Sequence, residues 1–462
     1  MLRLFKNELT KRLHRPGIYI ILVLAVVFSI ISGAMTKFLD SGYLQSMEFL
    51  EGYELDESDY DLKDEDQLDF FIQTLTTKEL NKLKKNYNYY SPEYYYIDNY
   101  MFDSVFCIKK SEYVKMSEKE LNQCQSDYDV ALANVKKFDF EKLLNEEKAE
   151  HLKSLNDKMS DSEREYIENQ IKVIDYRIEE KVPETYKTDS TELGSYPDLV
   201  SQYNESKNSY KSEKELNDNS QSLLEVKYKM DHKMYTDEYK DGSASSLQDV
   251  LVGTNFMVTI LVIIIAGTIV SEEFNKGTIK LLLARPFKRS SILISKILTI
   301  LLFFVLFIII YAIINTVIMG LFTGGFKTLL DPVLVYDYNI HEIVPYNLLH
   351  YCLLQFVAVL PKYLIITFFV FLINVLLTNS AISIAAGYVA LFASTITSTF
   401  YKLKIVSYLP INCWDLSPYL FGGKSYMVYG SFAKSLVVSI ITIVLLIACS
   451  IFIFNKKEIK NQ

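Results

Sequence analysis

Six apolar runs constrain this chain more than any other feature, because most are long enough to cross a hydrocarbon layer of about 30 Å. Ile18–Met35 is uncharged, and Val250–Val270 and Ile297–Phe322 are comparably apolar. Apolar windows place candidate spans at about 18–36, 248–270, 293–322, 357–378, 380–400 and 434–454. Charge is sorted along the same chain: residues 36–249 hold 48 of the 56 acidic and 28 of the 48 basic side chains, so that block is near −20 and the remainder near +12. A single soluble globular domain is not built that way. The expected fold is an all-α polytopic membrane protein with six transmembrane helices and a large, mainly helical extracellular domain between spans one and two.

Lysines and arginines near span ends set the expected orientation. Arg3, Lys6, Lys11, Arg12 and Arg15 precede the first span, Lys276, Lys280, Arg285, Lys288, Arg289 and Lys296 lie between the second and third, and Lys456, Lys457 and Lys460 follow the sixth. Six spans bring all three groups to one face. That face should be cytoplasmic, with both termini there, residues 37–247 outside and the chain in the cell membrane. Residues 1–17 read as an amphipathic helix in the inner interface: Leu2, Phe5, Leu9 and Leu13 share one face, and Pro16-Gly17 breaks it before the span. A signal peptide cleaved near Ser32-Gly33-Ala34 is the less favoured reading. Tyr346–Leu360, followed by Pro361, is expected to be an outer-surface helix leading into a span that ends near Leu377, with Lys362 snorkelling outward from that span. Asn255, Asn315, Gln355 and Asn374 are read as helix–helix contacts, and Ser383, Ala386, Gly387 and Ala390 as a close-packing face. The spans are read as free of buried acidic residues.

In the polar block, Leu121, Cys124, Tyr128, Ala131, Val135 and Phe138 recur at helical spacing, as do Ile167, Ile171, Ile174 and Ile178. Ser160-x-x-Glu163 is a capping-box candidate, Pro183 a stop, 199–234 a further helix and Gly242-Ser-Ala-Ser-Ser a tether. The ten carboxylates of Glu51–Asp69 lack the glycine and spaced acceptors of a calcium loop and read as a solvated acidic run. The tyrosines of Tyr87–Tyr100 suit a binding surface, a membrane-facing patch or a local core. Cys107 and Cys124, the two cysteines of this block, are a possible disulfide; five scattered histidines and the cysteines offer no metal cluster. Pro418-x-x-x-x-Gly423-Lys424-Ser425 imitates a phosphate loop but lacks its first glycine and a preceding strand.

The segment from Ser271 to Lys296 carries the functional reading. Glu272 and Glu273 can fix the loop or face a partner, Gly277 permits a sharp turn, Leu281 and Leu282 can dock, Pro286 stops the turn, and Ser290 or Ser291 can cap the third span. Lys288, Arg289 and Lys296 can bind lipid phosphates or carboxylates. Glu273-x-x-x-Gly277-Thr278, then Leu281-Leu282, Pro286, Arg289, Ile292 or Leu293 and Lys296, resembles the signature of permease subunits of the ABC-2 family of ATP-binding-cassette transporters. The likeness extends over the membrane half, roughly 1–36 and 248–455. It implies a coupling loop made of Glu272, Glu273, Gly277, Thr278, Lys280, Leu281, Leu282, Pro286, Arg289 and Lys296. It also implies a separate nucleotide-binding ATPase that holds ATP and Mg, a second permease chain, identical or related, and export of a hydrophobic or amphipathic substrate such as a peptide, antibiotic or lipid. On that reading the chain is no enzyme, carries no cofactor, and contacts membrane lipid but not nucleic acid. The alternatives are an ATPase-coupled sensor or mechanotransmission protein that does not transport, and an integral-membrane enzyme.

Overall fold

The structure is a computed structural model that describes residues 2–14, 16–40, 60, 62–156, 159–209, 213–236, 242–252, 256–283, 287–400, 402–425 and 429–457. It divides into two compact units: Met1–Ala34 with Lys240–Gln462, and Met35–Tyr239. The chain begins with α1 (Leu2–Leu13) and α2 (Pro16–Asp40). The polar block follows as α3 (Glu65–Lys84), α4 (Pro92–Tyr100), α5 (Phe102–Ser111), α6 (Glu118–Lys136), α7 (Phe140–Ser154), α8 (Asp161–Glu180), α9 (Thr188–Gly194), α10 (Tyr196–Asn208) and α11 (Glu213–Asp231). Next come α12 (Ser243–Leu251), α13 (Phe256–Thr268), α14 (Ser271–Asn275), α15 (Thr278–Leu283) and α16 (Arg289–Thr323). Strands β1 (Val333–Asp337) and β2 (Glu342–Tyr346) precede α17 (Leu348–Leu377), α18 (Ser380–Ser398), α19 (Pro410–Cys413) and α20 (Phe432–Lys456).

Six helical stretches among the described residues are long and apolar enough to cross a membrane: Tyr19–Lys37, Met257–Asn275, Arg289–Thr323, Leu348–Leu377, Ser380–Thr397 and Phe432–Lys456. The chain is a helical polytopic membrane protein. Its membrane core is built from α13, α16 and α17, where Phe303, Phe304, Tyr311, Tyr363 and Phe371 are buried together. Small residues let α18 approach: a Cβ on Gly387 would lie 2.7 Å from Val370, and one on Gly267 would lie 2.8 Å from Ile384.

Several expected boundaries move. The second span does not start at 248, because Ser243–Leu251 is a separate helix packed on α16 and the apolar crossing helix is Met257–Asn275. Gly242-Ser-Ala-Ser-Ser is therefore a helix start rather than a free tether: the Gly242 N–H donates to Thr323 Oγ1 at 2.8 Å, and Ser243 Oγ lies 3.1 Å from Thr328 Oγ1. Pro361 does not end an outer-surface helix; α17 runs through it. A proline inside a helix opens one turn of backbone bonds, and neighbouring groups can engage the opened turn. Here the Leu416 N–H donates to Ala358 O at 3.1 Å. Neither Ser290 nor Ser291 caps α16, which starts one residue earlier with Lys288 at the cap. The all-α reading also missed an antiparallel hairpin that pairs Val335 with Val344. The 401–433 segment is not merely a loop, since Val406, Cys413, Trp414 and Leu416 are buried and Ser439 Oγ donates to Cys413 O.

The polar unit has two small cores. One gathers Leu80, Ile97, Met101, Val105, Ala131 and Val135, and the Cys107–Cys124 disulfide joins α5 to α6 beside it with Cα atoms 6.1 Å apart. The other gathers Val173, Leu193, Tyr196, Val226, Met230 and Tyr235. The Ser160/Glu163 capping box forms at α8, as does a second at Ser117/Glu120 on α6. The stretch 199–234 is two helices, α10 and α11, rather than one. Most of the acidic run lies outside the described residues; Asp64 caps α3 by accepting from the N–H groups of Asp66 and Gln67. Tyrosines contribute to local packing: Tyr94 is buried, and Tyr89 stacks on Tyr186 with ring centres 4.8 Å apart.

Candidate functional site

Leu9, on the expected apolar face of α1, packs against the membrane core, but the most deeply buried stripe of the helix is a different one. Leu4, Glu8 and Arg12, spaced four residues apart on one helical stripe, are its buried residues among those described, and α1 lies against α16. Two charged groups on that stripe cannot be buried without partners, and the partners come from the end of the second span and the start of the third. Lys296 Nζ, on the first turns of α16, lies 2.6 Å from Glu273 Oε2 and 3.2 Å from Glu8 Oε2. Lys11 donates to the other oxygen of Glu273. Arg12 Nη1 lies 3.3 Å from Glu272 Oε2, and 3.5 Å from Thr268 Oγ1. Three carboxylates thus meet three cations, with Lys296 0% and Glu273 1% exposed. The Lys296 contacts are close charge contacts rather than aligned hydrogen bonds. Glu273 also overturns the expectation that no span holds a buried acid, since it falls within Met257–Asn275.

A second polar device lies above this network. Helix α13 ends at Thr268 and α14 begins at Ser271, leaving backbone groups that need partners inside the core. Asn374 of α17 supplies them: its Oδ1 accepts from the N–H groups of Val270 and Ser271, both at 3.0 Å, and its amide donates to Gly267 O and to Ser383 Oγ. Asn315 similarly joins α2 to α12, accepting from Ser29 and donating to Ser246. Both asparagines are helix–helix contacts as expected; Asn255 lies outside the described residues.

Beyond Asn275 the chain turns sharply, with Ile279 returning to the core and Leu281 facing away from it. Gly277 has φ +67° with nothing within 4 Å of a Cβ there, so the turn rather than space requires glycine. Thr278 Oγ1 lies 3.4 Å from Glu273 O, returning α15 to the network. Leu281 is 72% exposed, whereas the neighbouring Ile279 is buried. Pro286 and the side chains of Lys280 and Leu282 lie outside what is described. Arg289 donates to the carbonyls of Asn455 and Lys457, and Lys457 donates to Val375 O and Leu376 O. These cations sit at the C-terminal ends of α20 and α17, where helix dipoles favour positive charge. Lys362 lines a cavity of about 390 Å³ with Tyr388, Asn412, Trp414 and Asp415, instead of extending along a free helix surface.

Of the expected residues, Glu272, Glu273 and Lys296 come together in the network, Arg289 binds elsewhere, and Gly277, Thr278 and Leu281 form the projecting turn. Sequence reasoning missed Glu8, Lys11 and Arg12 as partners. The available signal was Glu8, a lone acid among five bases before the first span and one of eight acids in the membrane half.

Residues 219–460 match a family described as "Protein of unknown function (DUF2705)". The chain belongs to this family. It is 28% identical over 203 residues to "Uncharacterized protein YhcI" of Bacillus subtilis (strain 168), a match covering 43% of this chain and 64% of that protein. It is 50% identical over 48 residues to "Uncharacterized membrane protein YdbK" of the same strain, covering 10% of this chain and 20% of that one. The chain thus spans less than two thirds of either relative. No solved structure matches.

Proposed function

We propose that this chain is the membrane-spanning subunit of an ATP-driven transporter, most simply an exporter of a hydrophobic or amphipathic compound. A separate nucleotide-binding ATPase would hold ATP and Mg. In this reading α1, α14, α15 and the start of α16 face the cytoplasm of the cell membrane and the polar unit lies outside. The observation that carries the proposal is the exposed Leu281 on a short helix that turns out at Gly277 and is rooted in a buried ionic cluster. A lever driven by another subunit needs an apolar tip that docks and a base that does not yield. The tip is Leu281, and the base is the Glu8–Lys296–Glu273–Lys11 cluster, which ties the second and third spans and α1 into one body. Exposed apolar residues such as Val389, Phe392, Val437 and Ile441 on α18 and α20 suit lipid or a second permease chain. The cavity beside Lys362 and Asp415 offers a polar path between helices.

Co-purification in mild detergent with a co-expressed candidate ATP-binding-cassette ATPase tests the proposal. Wild type should retain the ATPase and its ATP hydrolysis. Gly277→Pro, whose ring cannot adopt φ +67°, should lose both while leaving the chain folded. Absence of association with folded wild type would refute the reading.

A further inference from the structure

The polar unit holds a cavity of about 280 Å³ between α4, the end of α6 and α7. One wall is aromatic: Tyr96 stacks on Tyr100 with ring centres 5.1 Å apart and meets Phe138 at 6.0 Å, edge to face. Leu143 and Leu144 floor it. The rim is acidic, with Glu146, Glu147 and Glu150 from α7 and Glu184 from the segment after α8.

Positive charge at the rim is insufficient to balance these carboxylates. Lys142 lies 3.6 Å from Glu146 on the exposed side of α7, and His151 lies 3.5 Å from Glu147. Arg177 is 3.9 Å from Glu184, but its guanidinium is already committed to Val182 O, Pro183 O and both oxygens of Ser190. Glu150 makes no ion pair among the described residues. Tyr100 donates to Glu184 at 2.7 Å and so leaves the negative charge in place. Four carboxylates thus face one lysine, one arginine and the His151 imidazole. Burial, then the charge of Glu184, holds the Glu147 carboxyl above its ordinary range. The same two causes push the Tyr95 hydroxyl up to about 12.

We propose that this cavity binds an amphipathic organic cation, an ammonium or guanidinium group carried on an apolar body. The cationic head sits among Glu147, Glu150 and Glu184 and against the Tyr96 ring of the stacked tyrosine pair, where a ring quadrupole attracts positive charge. The apolar body lies against Phe138, Leu143 and Leu144. An anion is repelled by the rim, and a neutral apolar molecule leaves the excess carboxylates without a partner. The site stands whether or not the chain transports.

Titration calorimetry on the full chain in uncharged maltoside micelles, with micelles alone subtracted, tests this. Benzyltrimethylammonium should bind at one site per chain, and benzenesulfonate should bind at least about tenfold more weakly. Glu147→Gln/Glu150→Gln should weaken the cation by about tenfold or more. Tyr96→Leu, which keeps apolar volume and removes the tyrosine ring, should weaken it by about threefold to tenfold. The exposed pair Glu118→Gln/Asp127→Asn, which removes the same charge elsewhere, should leave it unchanged. Equal affinity for the cation and the sulfonate would overturn the proposal. So would wild-type affinity in both cavity variants, or an equal loss in the exposed pair. Should the double glutamine variant fail to fold, Tyr96→Leu decides.

Discussion

Lys296→Met removes the cation that lies 2.6 Å from Glu273 and 3.2 Å from Glu8 and replaces it with an uncharged side chain of similar length. At an effective dielectric of about 20, each contact has a gross attraction of roughly 5–6 kcal/mol. Desolvation offsets much of this, but deleting one partner leaves two buried carboxylates facing each other, and the expected cost is about 3–5 kcal/mol. The protein provides its own probe, because Trp414 is its single tryptophan and is buried in the membrane unit. Denaturant titration of the full chain in detergent, followed by Trp414 fluorescence, should show Lys296→Met unfolding far earlier than wild type. Glu273→Gln alone should also destabilise, because it takes the nearer carboxylate from Lys296, leaving only Glu8, and removes the Lys11 partner. The double variant Lys296→Met/Glu273→Gln should lose less than the two single losses combined, by at least about 1.5 kcal/mol. A single-variant cost within about 0.5 kcal/mol, the scale of an exposed pair, or strictly additive losses would refute the view that these groups form one buried cluster.

Asn374→Leu leaves the N–H groups of Val270 and Ser271 without their acceptor and should cost about 1–3 kcal/mol in the same Trp414 assay. Cys107→Ser/Cys124→Ser opens a loop with a sequence separation of 17 and should destabilise the polar unit by about 3 kcal/mol, measured as faster amide exchange in α5 and α6. Glu147 has a folded pKa above its ordinary 4.5, so the folded state holds the proton more tightly than the unfolded state. Its contribution is therefore full below that value and is lost as pH rises through the folded pKa. Glu147→Gln should flatten the fall in melting temperature of the polar unit from about pH 4.5 upward.

Much of the membrane half was legible because a span announces itself by uninterrupted apolar length, which Arg289–Thr323 and Phe432–Lys456 show. The second span was harder. Val250 and Leu251 are as apolar as the run from Phe256 onward, so they were merged with it although α12 ends at Leu251. Pro361 misled for the opposite reason: its local preference is real, but the Leu416 N–H engages the turn it opens. In the site, Gly277 and the paired Glu272 and Glu273 stood out by type and spacing. What they bind did not, because Glu8 and Lys11 lie more than 250 residues away and the amphipathic reading laid α1 in the inner interface without a protein partner for Glu8 or Arg12. The capping box at Ser160 and Glu163 was readable because both partners lie within four residues.

The central claim, that the turn at Gly277 presents Leu281 to an ATPase, is tested most directly by a photo-reactive p-benzoylphenylalanine placed at Leu281 in cells that also express the candidate ATP-binding-cassette ATPase. The account predicts an ultraviolet-dependent crosslink to the ATPase from Leu281 and none from Ile340, an exposed residue in the turn between β1 and β2. No crosslink at Leu281 with folded chain and ATPase both present, or equal crosslinking from Ile340, would contradict it.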